Sequence, residues 1–324
     1  MKHELSENEI KEEIGLIRNI IEESVIKQGT EKFKRFHRKG YGLLEGEFVI
    51  NKDLDERFVS SLFQPGKTYK CRIRFSHGAP KIKPDNKRGS FGIAVKLLDI
   101  GHEVFEKDFD KNGNRTKQNH DFLLTNNPVL YPGTLKRFRY SMEFLFFGKV
   151  KSLIKLILSN VKTFIAFALF PSKEKSLLHI EYFSGLPYKI NDYNVKLKVL
   201  PSKAKLLENE NAEPNTRLLD NLRFAVEEQN WELEFGCQVQ GKPEKELIDN
   251  AEIPWKGEFN PIAKIRILRD SLDESEVGNQ MSFNPWHCSV EHEPLGALSQ
   301  ARKLVYKAMT RVRKKANGNQ KAEY

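Results

Sequence analysis

The stretch from Tyr188 to Val199 constrains the fold more than any other part of the chain. Tyr188-Lys189-Ile190 and Asn194-Val195-Lys196-Leu197-Lys198-Val199 alternate apolar and polar residues on either side of Asn191-Asp192. Period-two patterning around an Asn/Asp turn is what an antiparallel hairpin with one buried face requires. Strand-forming runs also stand at about 43–50, 69–76, 91–98, 231–239 and 263–270. Such strands suit a closed antiparallel barrel, which removes free edges and can enclose one cavity. Helical patterns cover 5–28, 134–169, 215–228 and 299–316; in the first, Ile10, Ile14, Ile17, Ile20, Ile21 and Val25 form a stripe. At 324 residues one large barrel domain accounts for the chain. Three cysteines, Cys71, Cys237 and Cys288, are too few for a disulfide framework and lie in apolar contexts. Buried thiols and a reducing cytoplasm are the expectation. The start of the chain is acidic and helical, and reads as an arm rather than a secretion signal.

Two short motifs carry chemistry. Near the C-terminus, Ser299 to Ala316 contains neither Gly nor Pro and reads as a basic helix. Within it Arg302 and Tyr306 stand four residues apart, so a guanidinium can lie over the face that carries the phenol. A fixed positive charge within about 4–6 Å favours the anionic form of a titratable group. A phenolate is a hard ligand for ferric iron, and tyrosine is one of the axial ligands that haem proteins use. Arg313, two turns beyond Tyr306, shares that face and can meet a haem propionate. The plainer alternative is a basic surface helix with one partly buried tyrosine. Near the N-terminus, Arg35-Phe36-His37-Arg38-Lys39-Gly40-Tyr41-Gly42-Leu43-Leu44-Glu45-Gly46-Glu47-Phe48 sets a histidine before a glycine-rich approach to a strand. Glycines let the backbone turn tightly and pass close to a neighbour.

This second motif resembles the catalase family, whose distal histidine sits in His-x-Lys-Gly-x-Gly-x-x-Gly-x-Phe; every fixed position is present. The resemblance continues in chain order through Arg72-Ile73-Arg74-Phe75-Ser76, Gly92-Ile93-Ala94-Val95-Lys96 and His120-Asp121-Phe122-Leu123-Leu124-Thr125-Asn126-Asn127-Pro128-Val129. It goes on through Trp231-Glu232-Leu233, Phe283-Asn284-Pro285-Trp286-His287 and Glu291-His292-Glu293-Pro294-Leu295-Gly296. It ends on the Arg-x-x-x-Tyr helix, where Arg311 and Arg313 stand five and seven residues past the tyrosine. It spans roughly residues 30 to 315, with diverged stretches at 100–118, 136–176 and 202–228. There are departures. Lys34 precedes Arg35 where the family has its arginine, bulky Phe36 precedes the histidine, Thr125 replaces a glycine, one residue is missing between Asn127 and Pro128, and no Pro-Asp-Thr follows Tyr306.

The resemblance implies an α+β fold, a closed antiparallel barrel of about eight strands with surrounding helices and a catalase-like haem-binding core. Residues 31–316 would form that domain, 1–30 a helical arm and 317–324 a frayed tail. It also implies ferric haem b as cofactor, with Tyr306 as iron ligand and Arg302 beside it. His37 becomes the distal acid–base, Ser76 its orienting partner and Asn126 the peroxide-binding amide. Arg74 and Arg313, with Lys34 or Arg35, become propionate partners, and Phe36 lines the pocket. The implied activity is that of a hydroperoxidase reducing or rearranging organic or fatty-acid hydroperoxides, or hydrogen peroxide. Hydroperoxide lyase or allene oxide synthase chemistry belongs to the same superfamily. A non-catalytic haem-binding or storage protein, a weak true catalase and a lipid-binding apo-barrel are the competing readings. A homodimer is a further expectation of the family.

Residues 134–170 stand apart. They are rich in aliphatic and aromatic residues interrupted by lysine and arginine, too charged to span a bilayer. Two readings remain open: an amphipathic hairpin packed on the barrel, or a peripheral membrane contact helped by the chain's net charge of +10. The charge would also suit nucleic acid, but no nucleic-acid-binding motif occurs, and none is expected as a partner. Six further histidines (His77, His102, His120, His179, His287 and His292) are scattered without metal-ligand spacing, so no zinc site is expected, and His287 and His292 read as structural.

Overall fold

The computed structural model describes residues 5–28, 37, 39–79, 82–106, 118–170, 172–275 and 281–316; the side chains of 25–28, 163, 166, 167 and 309–316 lie outside that description. Among the described residues ten antiparallel strands are present: β1 (Lys39–Gly40), β2 (Leu44–Ile50), β3 (Thr68–His77), β4 (Phe91–Leu97), β5 (His120–Thr125), β6 (Tyr182–Phe183), β7 (Tyr188–Ile190), β8 (Tyr193–Leu200), β9 (Trp231–Val239) and β10 (Phe259–Ile267). Eight of them close a ring in the order β3-β2-β10-β9-β8-β6-β5-β4 and back to β3. Closure leaves no exposed ladder edge around the ring. β1 extends the far end of β3, and β7 forms the expected hairpin with β8, turning through Asn191 at φ 51°. Asparagine tolerates that left-handed backbone better than most residues.

Alternation builds the core. Along β3, Tyr69, Cys71, Ile73 and Phe75 point inward, and β2 contributes Leu44, Phe48 and Ile50. Phe48, Phe122 and Phe235 meet inside the barrel at centroid distances of 4.8 to 5.6 Å, spacings at which edge-to-face and offset contacts are favourable. β10 begins earlier than the sequence pattern indicates, because Pro261 sits where the register shifts against β9; proline is tolerated in a strand at such an irregularity. All three cysteines are buried free thiols, and loss of water raises the pKa of each, Cys237 to about 12.

A helical layer covers one side. It comprises α1 (Glu7–Gln28), α2 (Leu135–Phe147) and a long C-terminal helix, with Ile17, Ile20 and Ile21 packed against Leu135 and Met142 and against Ala297, Ala301 and Val305. Ser6 and Glu9 bond reciprocally at the start of α1, a capping box that satisfies two otherwise orphaned groups. The helical run expected over 134–169 is divided into α2, α3 (Val150–Ser159) and α4 (Val161–Leu169). Gly148 ends α2 in the left-handed conformation at φ 65°, the usual glycine stop, and Asn160 separates α3 from α4. The remaining helices are α5 (Arg217–Glu228), which lies against the barrel core, and the C-terminal α6 (Ala297–Ala316).

Candidate functional site

The outer face of β3 and β4 holds the first half of the site. Because Ile73 and Phe75 point into the barrel, Arg74 and Ser76 point out. β1 pairs Lys39 with His77 and Gly40 with Ser76, and Tyr41 N–H donates to the Phe75 carbonyl. This short zipper brings His37 back over β3. Its Nδ1 stands 3.0 Å from Ser76 Oγ, and its carbonyl accepts a bond from Arg74 Nη2 at 3.2 Å. His37 has φ 60°, a left-handed conformation that costs a non-glycine residue of order 1–3 kcal/mol unless its surroundings enforce it. The two tethers do so. β4 supplies the floor: Gly92 lies opposite Ser76, and a Cβ there would stand 3.0 Å from His37 Cε1. A larger residue there would press the imidazole back by a few tenths of an ångström. Loss of water, the Arg74 charge, His77 and Arg302 together lower the His37 pKa to about 4, so the ring is neutral at physiological pH.

Asn126 follows the last residue of β5. Its backbone N–H donates to the Phe91 carbonyl at 2.9 Å and its Oδ1 accepts from Phe91 N–H at 2.8 Å. With the amide oxygen engaged, the orientation of the group is fixed and its NH2 is the end turned away from β4. Asn127 Oδ1 caps the following turn by accepting from Val129 N–H, a local structural task.

The second half of the site comes from α6. A strap over 284–289 aims this helix. Asp121 accepts from Asn284 N–H at 2.8 Å, and its own N–H donates to the His287 carbonyl at 2.7 Å. Ser289 N–H donates to His120 Nδ1 at 3.0 Å. Beneath the strap, Lys96 and Asp121 form an almost fully buried ion pair with an N–O distance of 2.6 Å. Burial alone would push the Asp121 carboxyl up, but Lys96 and the His287 ring hold it below the usual carboxylate range. Trp286 Nε1 donates to the Ser299 carbonyl, and Asp249 accepts from Ala297 N–H where α6 begins. On α6, Arg302 Nη2 stands 3.3 Å from Tyr306 Oη, and the guanidinium carbon lies 5.7 Å from the phenol ring centre.

The two halves act on each other through charge. The charge of Arg302, from the tail of the chain, bears on His37, from its head. Arg302 and Tyr306 also act on Tyr188, whose phenol is pushed up chiefly by burial and in the opposite sense by Arg302. His37, Ser76, Arg74, Asn126, Arg302 and Tyr306 are therefore all described. Lys34, Arg35 and Phe36 lie outside the described residues; Arg313 falls on α6, with its side chain outside them. Gly92, His77 and Tyr188 join the site although only the first stood in a motif. His77 packs edge-on to Phe91 at 5.4 Å, and its ring would collide with a Cβ at Gly89. No local sequence signal marks His77 or Tyr188, since strand pairing alone brings them to the site.

The whole backbone can be set beside solved structures. It superposes on a fungal catalase with a TM-score of 0.64 at 19% identity, covering 86% of this chain and 59% of that one. The fold is that of the catalases. Catalase A from Saccharomyces cerevisiae gives 0.63 at 18% identity, with 86% of this chain and 61% of the other covered; a bacterial catalase gives 0.58 at 15%, with 86% and 57%. The chain thus spans under two thirds of the length of these catalases. No protein-family model matches it, and no curated protein matches it in sequence.

The donor set suits a ferric porphyrin. It offers a phenol oxygen beside a guanidinium, an imidazole held neutral, and the buried Arg74 guanidinium, a natural partner for a carboxylate.

Proposed function

We propose that the chain is a haem-dependent hydroperoxidase, with Tyr306 as ligand to ferric haem b, acting on organic or fatty-acid hydroperoxides. The observation that carries this reading is the convergence of a neutral, tethered His37 and the Arg302–Tyr306 pair from opposite ends of the sequence. The catalase fold supports it independently.

When bound, the haem would supply the redox-active iron needed to break a peroxide bond. The chain's own residues do the rest. Tyr306 would hold the iron through its phenol oxygen, with Arg302 as that oxygen's positive partner. Arg74, with Lys34 or Arg35 and Arg313, would pair with the two propionates. His37 Nε2 takes the proton from the incoming hydroperoxide and returns it to the leaving oxygen, acting as general base and then general acid. Ser76 fixes the ring by its contact with Nδ1. In the tautomer with Nδ1 protonated, Ser76 Oγ accepts that proton's hydrogen bond and Nε2 carries the free lone pair. The Asn126 NH2, aimed by Phe91, donates to the peroxide oxygen. Phe36, next to the histidine, and the apolar 134–170 segment favour an organic substrate over hydrogen peroxide.

The test is the His37→Ala variant. It should keep the haem absorption band and lose about 10²- to 10⁴-fold in turnover of a fatty-acid hydroperoxide. A variant that binds haem and turns over as the parent does would refute His37 as the distal base, and a parent that binds haem without any turnover would leave haem binding without catalysis as the better account. Parallel assays with hydrogen peroxide separate an organic hydroperoxidase from a weak catalase.

A further inference from the structure

Among the described residues, large apolar side chains exposed to solvent concentrate on α3 and α4. Val150, Ile154 and Leu158 recur every fourth residue along α3, and Val161, Ile165 and Leu169 do the same along α4. Their exposures run from 43 % for Val161 to 70 % for Leu158. A period of four places each trio on one stripe of its helix. The opposite side of α3 is anchored: Leu156 is buried, and Ser152 Oγ donates to Glu143 on α2. Glu252 accepts from Arg137 on α2, from Asn160 between α3 and α4, and from Gly133 N–H. These bonds fix which face points out.

The charge around the stripes has one sign. Between Glu143 and Glu174 there is no acidic residue, while Lys149, Lys151, Lys155, Lys162 and Lys173 occur there and are exposed. Apolar stripes flanked only by lysine match the boundary between acyl chains and anionic headgroups, where lysine stems lie along the apolar zone and their ammonium groups meet phosphate. A second copy of this chain would offer the same lysines to themselves. Among the described residues no helix is long and apolar enough to cross a membrane, so the proposed contact lies in the interface plane.

We propose that α3 and α4 dock the protein on an anionic phospholipid bilayer. The placement also has a consequence for the site. Tyr131, five residues after Asn126, donates to the Leu156 carbonyl and packs edge-on to Phe164 at 5.9 Å. The segment leaving Asn126 thus runs directly beneath the docked helices. The inference stands without the haem assignment, because vesicle binding is read without any turnover.

The experiment is flotation of the purified full chain with vesicles of phosphatidylcholine alone and of phosphatidylcholine with phosphatidylglycerol. The chain should float with the anionic vesicles at low salt and be released by high salt. Leu158→Glu with Ile165→Glu should lower the partition by more than about tenfold. Lys151→Gln, Lys155→Gln and Lys162→Gln together should lower it by about a hundredfold on anionic vesicles only. Both variants alter exposed positions, and unchanged circular dichroism verifies their fold. A parent chain that fails to float, or Glu variants that float as well as the parent, would overturn the proposal. So would a parent that sediments as a dimer, becomes monomeric on the Glu substitutions and ignores vesicles: the stripe would then be a contact between copies.

Discussion

The two faces of β3 belong to one strand and obey different physics. Cys71, Ile73 and Phe75 on the inner face belong to the buried apolar core, and their position is set by volume. Arg74 and Ser76 on the outer face hold His37 through two directed bonds, and their position is set by orientation. The inner face should therefore answer to substitution in stability and the outer face in chemistry. Where a strap covers the outer face, as over Lys96 and Asp121, the distinction blurs, because charge there is as dry as the core.

The largest effect is expected at that covered position. Lys96→Met leaves Asp121 buried without its cation and should cost about 3–5 kcal/mol in denaturant unfolding. A loss below about 1 kcal/mol would show that Asn284 and His287 satisfy the carboxylate unaided. On the inner face, Phe75→Ala should cost a similar 3–5 kcal/mol through the cavity it leaves. A variant that keeps full stability but loses peroxide turnover would break the comparison.

Acid provides the next largest effect. His292, inside the barrel beside Phe63 and hydrogen-bonded to Ser60, has its pKa lowered from 6.5 to about 4, mainly by burial, although Glu291 acts the other way. The unfolded chain then binds this proton more readily than the folded one. Stability is full above pH 6.5 and falls as pH drops toward 4. The loss from His292 alone should reach about 3 kcal/mol. Urea titrations at neutral and acid pH read it, and His292→Gln should remove that portion of the pH slope. His120, whose pKa lies well below 6.5 for the same reason, adds in the same direction. A pH-independent midpoint would contradict the burial of both rings. The smallest stability change is expected at Ser76→Ala, within about 1 kcal/mol, since one hydrogen bond is lost. Its turnover should nonetheless fall, with haem binding retained. If stability fell as at Phe75 while turnover held, Ser76 would belong to the core rather than to the site.

Much of this was legible in the sequence. Alternation around Asn191-Asp192 gave the β7–β8 hairpin, and the His37 and Tyr306 motifs supply the two ends of the proposed site. Strand β5 was the main omission as a strand. His120 and Asp121 are poor strand formers by propensity, and Asp121 is acceptable in a buried strand through partners far away in sequence, Lys96 twenty-five residues earlier and Asn284 and His287 beyond. The breaks at Gly148 and Asn160 were hidden by the apolar content of 134–169, which continues through both. His77 and Tyr188 were out of reach because their roles depend on strand neighbours far away in sequence. Gly92 appeared in a motif, but its function as the floor for an imidazole exists only once β1 folds back.

The central claim is that one phenol on α6 binds iron opposite His37. Titration of the purified chain with hemin, followed by the Soret band, tests it most directly. The parent chain should give a saturable band, and Tyr306→Phe, with its fold verified by circular dichroism, should abolish or displace it. A Tyr306→Phe protein with the parent's band and affinity, or a parent chain that gives no band, would contradict the account.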